Sequence, residues 1–198
     1  MWHARGELQA ESDRILDAAR STVLDFGLRR ATVTEVARRA GLSRITVYRR
    51  YADGGQLVRA LMMREFGKLL AEAERAVATL PPGRRRVVEM LLAGVQRLGS
   101  DPLFVRLLEL EPETLIPYLI GAPGRFQALA RRQLASEIAA AQRAGEARPG
   151  DPDQLAAAIE TAARGSTFAA SGQSPTERER AQRELGRMVD AYLRPQAK

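Results

Sequence analysis

Residues 32–51 hold two short amphipathic patterns separated by three residues, and only a sharp helical corner satisfies both. Thr32-Val33-Thr34-Glu35 has the form of a capping box. In it the Thr hydroxyl takes one unpaired helix-start N–H while Glu reaches back to the cap amide. Val33, Val36, Ala37 and Ala40 then recur on one face, with Ala37 small where two helices must cross closely. Gly41 stands where the chain needs a left-handed residue to leave the first helix. Leu42 plugs the corner and Ser43 is a good N-cap for the next helix. Val47 and Tyr51, four apart, face the core, which leaves Arg44, Ile45, Thr46, Tyr48, Arg49 and Arg50 turned outward.

The rest of the 198 residues also reads as helix. Leu8, Ile15, Ala18, Ala19, Val23 and Phe26 recur at helical spacing, and the pattern stops at Gly27. The periodicity and caps predict helices over about 8–27, 33–40, 44–51, 54–78 and 84–99. Pro102, Pro112, Pro117 and Pro123 divide the middle into short helices. Further helices are expected over about 124–145, 152–171 and 175–193. Asp53 with Gln56 and Ser174 with Glu177 are expected cap pairs, the second followed by Pro at the first helical position. The expected fold is all-α: a three-helix head over 1–53 carrying the helix-turn-helix, followed by a larger helical bundle over 54–198.

Charge and composition narrow the function. The net charge is +7, and 31 basic residues face 24 acidic ones. Between Arg29 and Arg50 there are seven arginines (29, 30, 38, 39, 44, 49 and 50) and one acid, Glu35. A solvated face mixes signs, so this local excess points to a polyanionic partner, double-stranded DNA. There is no Cys, and the single His, His3, sits near the start of the chain. Cys-based zinc sites are therefore excluded, and no Gly-rich phosphate loop or carboxylate pair with metal-ligand spacing is present. The chain is expected not to be an enzyme and to use no metal or cofactor. No stretch approaches the roughly 18 apolar residues of a membrane span. Met1-Trp2-His3-Ala4-Arg5 lacks the apolar run of a signal peptide, so the expected location is the cytoplasm, with no membrane partner.

Ala40-Gly41-Leu42-Ser43 and Thr46-Val47-Tyr48, followed by an aromatic at Tyr51 and by Leu57, resemble the signature of the TetR/AcrR family of helix-turn-helix transcriptional regulators over about residues 9–60. The resemblance and the chemistry together assign roles. Thr34, Arg44, Tyr48 and Arg50 are candidates for phosphate contact, which fixes register without reading sequence. Ile45, Thr46 and Arg49 are candidates for base edges: Arg forks onto guanine, and Ile or the Thr methyl meets a thymine methyl. One departure stands out, since Gly54 occupies the position where the family usually has a phosphate-contacting lysine.

One recognition helix reads too few bases to select a genomic site, and proteins of this design dimerise on half-sites about 34–36 Å apart. The resemblance implies a homodimer through the last two helices, with Ala158, Ala162, Gly165, Ala169, Leu185, Met188, Val189 and Tyr192 as the candidate surface, able to form a four-helix bundle with the partner's pair. It also implies a small, apolar effector held in the helical domain. Candidate liners are Phe66, Met90, Leu91, Val95, Leu103, Phe104, Leu107, Phe126 and Leu129. The reading is a sequence-specific regulator, a ligand-responsive repressor on a palindromic operator. The alternative is a basic helical protein that binds DNA without sequence preference.

Overall fold

The computed structural model describes residues 2–111, 113, 124–169 and 173–195. Among these residues every regular element is helical: α1 (Trp2–Phe26), a 3-10 turn (Leu28–Arg30), α2 (Val33–Ala40), α3 (Arg44–Arg50), α4 (Gly54–Ala76), α5 (Arg84–Ser100), α6 (Pro102–Leu110), α7 (Arg125–Arg143), α8 (Pro152–Ala169) and α9 (Pro175–Leu193). Pro112, Pro117 and Pro123, expected to break the middle of the chain, lie outside the described residues.

Most helix limits fall within two residues of those the sequence predicts. The exception is α1, which begins at Trp2 rather than near Leu8 because the polar first turns still favour helix. Leu8 and Phe26, assigned to its apolar stripe, are both exposed. The stripe is buried only between Ile15 and Val23, where other helices cover it. At the second helix the capping box does not close. Thr32 accepts the Glu35 N–H at 3.2 Å, but the Glu35 carboxylate turns to Arg38 and Arg39. Charge-assisted bonds to two guanidiniums outweigh one to a neutral amide. At Ser174 both halves of the box form. Asp53 accepts the Gln56 N–H at 2.7 Å, while the Gln56 side chain accepts the N–H of Ala52 rather than that of Asp53.

The chain divides into two compact units. The first comprises residues 1–65 with 102–115, and the second 66–101 with 116–198. The division therefore falls inside α4 rather than at 53/54, and α6 belongs with the head. The physical cause lies in α6 itself. Leu103, Phe104 and Leu107 are buried, and the helix packs on α1. Just beyond it, Glu111 Oε1 accepts the N–H of Leu28 at 2.6 Å and of Arg29 at 3.2 Å. Gly27 takes φ 82 immediately before this turn, and a Cβ there would sit 3.0 Å from that same carboxylate oxygen. The first core also includes Ile15, Ala19 and Val23 of α1, Val36 and Ala37 of α2, Val47 of α3, and Leu57 and Leu61 of α4. Ion pairs tie α1 to α4: Arg20 to buried Glu65 at 3.1 Å, and Arg64 to Asp17 at 2.8 Å and to Asp13 at 3.9 Å.

In the second unit α7 packs along α8, and α5 packs against α7, α8 and α9. Val87, Met90, Leu134, Ile138, Leu155, Ile159, Leu185, Val189 and Leu193 belong to one continuous core. Gly186 lets α9 approach α5, since a Cβ there would lie 3.0 Å from Leu92 Cδ1. Arg86 closes the end of α4 by donating to the Val77 and Leu80 carbonyls at 2.9 Å each while pairing with Glu137 at 2.7 Å.

Ala37 is 1% exposed where α2 meets its neighbours. Replacing it with Leu should cost about 1–3 kcal/mol by overpacking, seen as a lower urea midpoint. An unchanged midpoint would show slack at this crossing.

Candidate nucleic-acid interface

The corner between α2 and α3 has the chemistry the sequence calls for. Gly41 adopts φ 64, ψ 35, the left-handed conformation that a Cβ disfavours. The Leu42 N–H reaches back to the Ala37 carbonyl at 3.0 Å. Arg14 of α1 donates to the Ala40 carbonyl at 2.8 Å, capping the end of α2 from outside. Ser43 accepts the Thr46 N–H at 3.0 Å and starts α3. Val47 is fully buried, and the Tyr51 and Ser12 hydroxyls share a hydrogen bond of 3.0 Å in the interior. These contacts fix the rotation of α3 about its own axis, and hence which side chains it shows to solvent.

Of the seven candidate DNA contacts, six are freely displayed. Ile45 is 80% exposed, and an isolated exposed Ile costs apolar hydration, which suits a methyl-reading surface. Tyr48 is 52% exposed, so it does not fill the core. Thr34, Arg44, Arg49 and Arg50 are also exposed. Thr46 is half-buried, and its hydroxyl lies 2.8 Å from that of Ser43. That contact leaves its methyl as the chemically distinct part.

The basic stretch is less uniform than its sequence. Arg38 donates to both Glu35 oxygens, at 3.0 and 2.6 Å. Arg39 pairs with Asp25 at 2.7 Å and with Glu35 at 3.2 Å, and its guanidinium lies 4.9 Å from the centre of the Phe26 ring. Arg29 meets Glu113 at 3.2 Å. Among the described residues, Arg30, Arg44, Arg49 and Arg50 keep uncommitted guanidiniums. The hydrogen bond from Arg38, helped by Arg39 against partial desolvation, holds the Glu35 carboxyl down at about 2. The folded value is lowered from 4.5. The pairing therefore contributes fully above the ordinary value and is lost as pH falls towards about 2. At neutral pH three of the seven arginines are thus paired with acids of the head.

Arg30 is a further candidate that sequence reasoning did not single out. With Phe26, Thr32, Thr34 and Glu35 it lines a concavity at the start of α2, next to a candidate phosphate contact. The Arg29-Arg30 doublet was the available signal, but nothing in it separates the paired member from the free one. Gly54 opens α4 with nothing within 4 Å of a would-be Cβ.

The candidate effector residues are split between the two units. Leu103, Phe104 and Leu107 are buried in the first. Phe66, Met90, Leu91, Val95, Phe126 and Leu129 belong to the second. There the Phe66 and Phe126 rings stack at 4.9 Å with a 50° tilt. Of the candidate dimer residues, Leu185 and Val189 turn inward and are 5% and 1% exposed. They pack within their own protomer, so they offer a partner nothing. Ala158, Gly165 and Met188 are exposed and Ala162 and Tyr192 half-buried. The Ala169 side chain lies outside the described residues. Among the described residues no group of three or more His, Asp or Glu side chains could hold a metal ion, and no helix is long and apolar enough to cross a membrane.

Comparison with known proteins agrees with this geometry. The model of bacterial regulatory proteins of the tetR family matches residues 15–61, from the middle of α1 into α4. An uncharacterized HTH-type transcriptional regulator of Mycobacterium tuberculosis is 36% identical over 146 residues, covering 74% of each chain. Among solved structures, the TetR-family repressor QsdR of R. erythropolis superposes with a TM-score of 0.69 at 19% identity, over 96% of this chain and 99% of that one. The regulator FadR of Bacillus subtilis, in complex with stearoyl-CoA, gives 0.66 at 13% identity over 91% and 98%.

Glu35→Gln should release Arg38 and loosen Arg39. Binding to random duplex DNA should then tighten at low salt, and log K against log[salt] should steepen by about one to two phosphate contacts. An unchanged slope would show that these guanidiniums do not reach the backbone.

Proposed function

The chain belongs to the TetR family of helix-turn-helix transcriptional regulators, and from that premise we propose that it is a ligand-responsive repressor which binds a palindromic operator as a homodimer through α3. The observation that carries this reading is the display on α3. Val47 locks one side of the helix into the core, and the opposite side presents Arg44, Ile45, Tyr48, Arg49 and Arg50 uncommitted among the described residues. Arg44, Tyr48 and Arg50, with Thr34 at the start of α2, serve the phosphates. Ile45, Thr46 and Arg49 read base edges. The mixture matters. A binder indifferent to sequence needs only cations, whereas an exposed Ile beside a free Arg suits a surface that meets thymine methyls and guanine acceptors. With Gly54 at the start of α4, the uncommitted Arg49 and Arg50 just before it in the chain take up the backbone contact that a lysine there would make.

Dimerisation follows from the need for two half-sites. The outward faces of α8 and α9 suit it. Ala158, Ala162 and Gly165 keep one helix face low, and Met188 supplies an exposed apolar side chain beside half-buried Tyr192. The second unit would hold a small, mostly apolar effector that favours one spacing of the heads and so shifts the dimer away from the operator. On this reading the protein works in the cytoplasm and catalyses nothing.

The direct test is selection of bound DNA from a random pool. An inverted repeat is expected, and Arg49→Ala should then lose about tenfold or more on the selected operator, the loss of one guanine contact, and much less on random DNA. An unenriched pool, with equal losses on both, would favour the sequence-indifferent reading. Ala162→Glu places a charge on the small-residue face and should convert the dimer to monomer in sedimentation. A mutant that still sediments at twice the chain mass would remove α8 from the interface.

A further inference from the structure

The inward face of α7 changes character along its length. From Leu134 through Ile138 it is apolar, but one turn further towards its N-terminus it presents Arg131 and then Gln127. Gln127 is only 6% exposed, and among the described residues its side-chain carbonyl oxygen is buried without a hydrogen-bond donor. Arg131, whose side chain is 28% exposed, turns Nη2 to Glu160 of α8 at 3.3 Å, while its Nε is buried without an acceptor among the described residues. Glu160 is shared, because its other oxygen lies 3.5 Å from Arg164. Its charge therefore neutralises Arg131 only in part. Beside Gln127 in sequence, Phe126 stacks on Phe66, giving an aromatic wall at the same end of the helix.

An interior carbonyl and an interior guanidinium N–H, both unanswered and one turn apart, are costly to keep and would be avoided by Leu or Met at these positions. Groups of this kind are retained where something else completes them. We propose that the effector is a small apolar acid that also carries a hydroxyl near its carboxylate. Its hydroxyl donates to Gln127 Oε1, its carboxylate accepts from Arg131 Nε, and its apolar body lies against Phe66 and Phe126. This rests on the proposed effector role of the second unit and names the ligand class that role would use.

The test uses the full-length protein with three probes: 3-hydroxyoctanoate, octanoate and methyl 3-hydroxyoctanoate. Binding is followed by calorimetry and operator release by fluorescence anisotropy. Wild type should bind 3-hydroxyoctanoate about tenfold more tightly than either of the others, the effect of one well-made polar contact. Gln127→Leu should abolish the preference for the hydroxyl while keeping octanoate binding, and Arg131→Met should abolish the preference for acid over ester. A measurement without ligand stands beside it. Gln127→Leu removes an unanswered carbonyl and should raise the melting temperature, by about 2–4 °C. A lowered melting temperature would show Gln127 to be a satisfied structural residue and would overturn the proposal. So would a wild type that binds none of the three probes, or variants with unaltered preferences. A probe that binds as predicted yet leaves the operator occupied would sink the repressor reading while leaving this site intact.

Discussion

The reading surface depends on the crossing at Ala37 and the left-handed turn at Gly41. Ala37 is 1% exposed at this crossing, and a positive φ at Gly41 is what lets the chain reverse within four residues. The Leu42 N–H closing on the Ala37 carbonyl and Arg14 closing on the Ala40 carbonyl then hold α2 and α3 at one angle. Because Val47 is fixed in the core by that angle, the azimuth of every other α3 side chain is fixed too. The proposed base recognition needs this, since an Arg forked onto guanine tolerates little displacement.

Charge in the head is organised by folding rather than by composition. Three of the seven arginines between 29 and 50 are held by Glu35, Asp25 or Glu113. Two of those acids lie outside the stretch in sequence. The paired Arg38 and Arg39 lie along α2 and Arg29 on the turn before it, while the unpaired Arg44, Arg49 and Arg50 lie on α3. Internal neutralisation lowers the general affinity for polyanions and leaves specific contacts a larger share of the binding free energy. Glu111 extends the same logic to the backbone. A carboxylate 83 residues away caps the 3-10 turn that delivers the chain into α2, so α6 is a working part of the head.

The second unit follows different rules. Gly186 and the buried alanines of α8 allow close helix packing, which concentrates the larger side chains into one core. Within that packing the N-terminal end of α7 stands apart, because its interior polar groups are not matched to each other. A core selected for stability alone would carry apolar side chains there.

Local chemistry made much of this legible from sequence. The four residues from Ala40 to Ser43 specify a turn by backbone conformation and capping. The prolines, the Ser174 cap and the 3.6-residue periodicity specify helices, because each of these signals acts within a few residues. The outward set on α3 was legible for the same reason, since one buried Val47 orients the helix. Long-range pairing was not legible. Nothing local tells Arg38 from Arg49, Leu185 from Met188, or a helix after Pro102 that joins the head from one that stays with the bundle. Those distinctions depend on which surface another segment covers, and tertiary structure alone decides that.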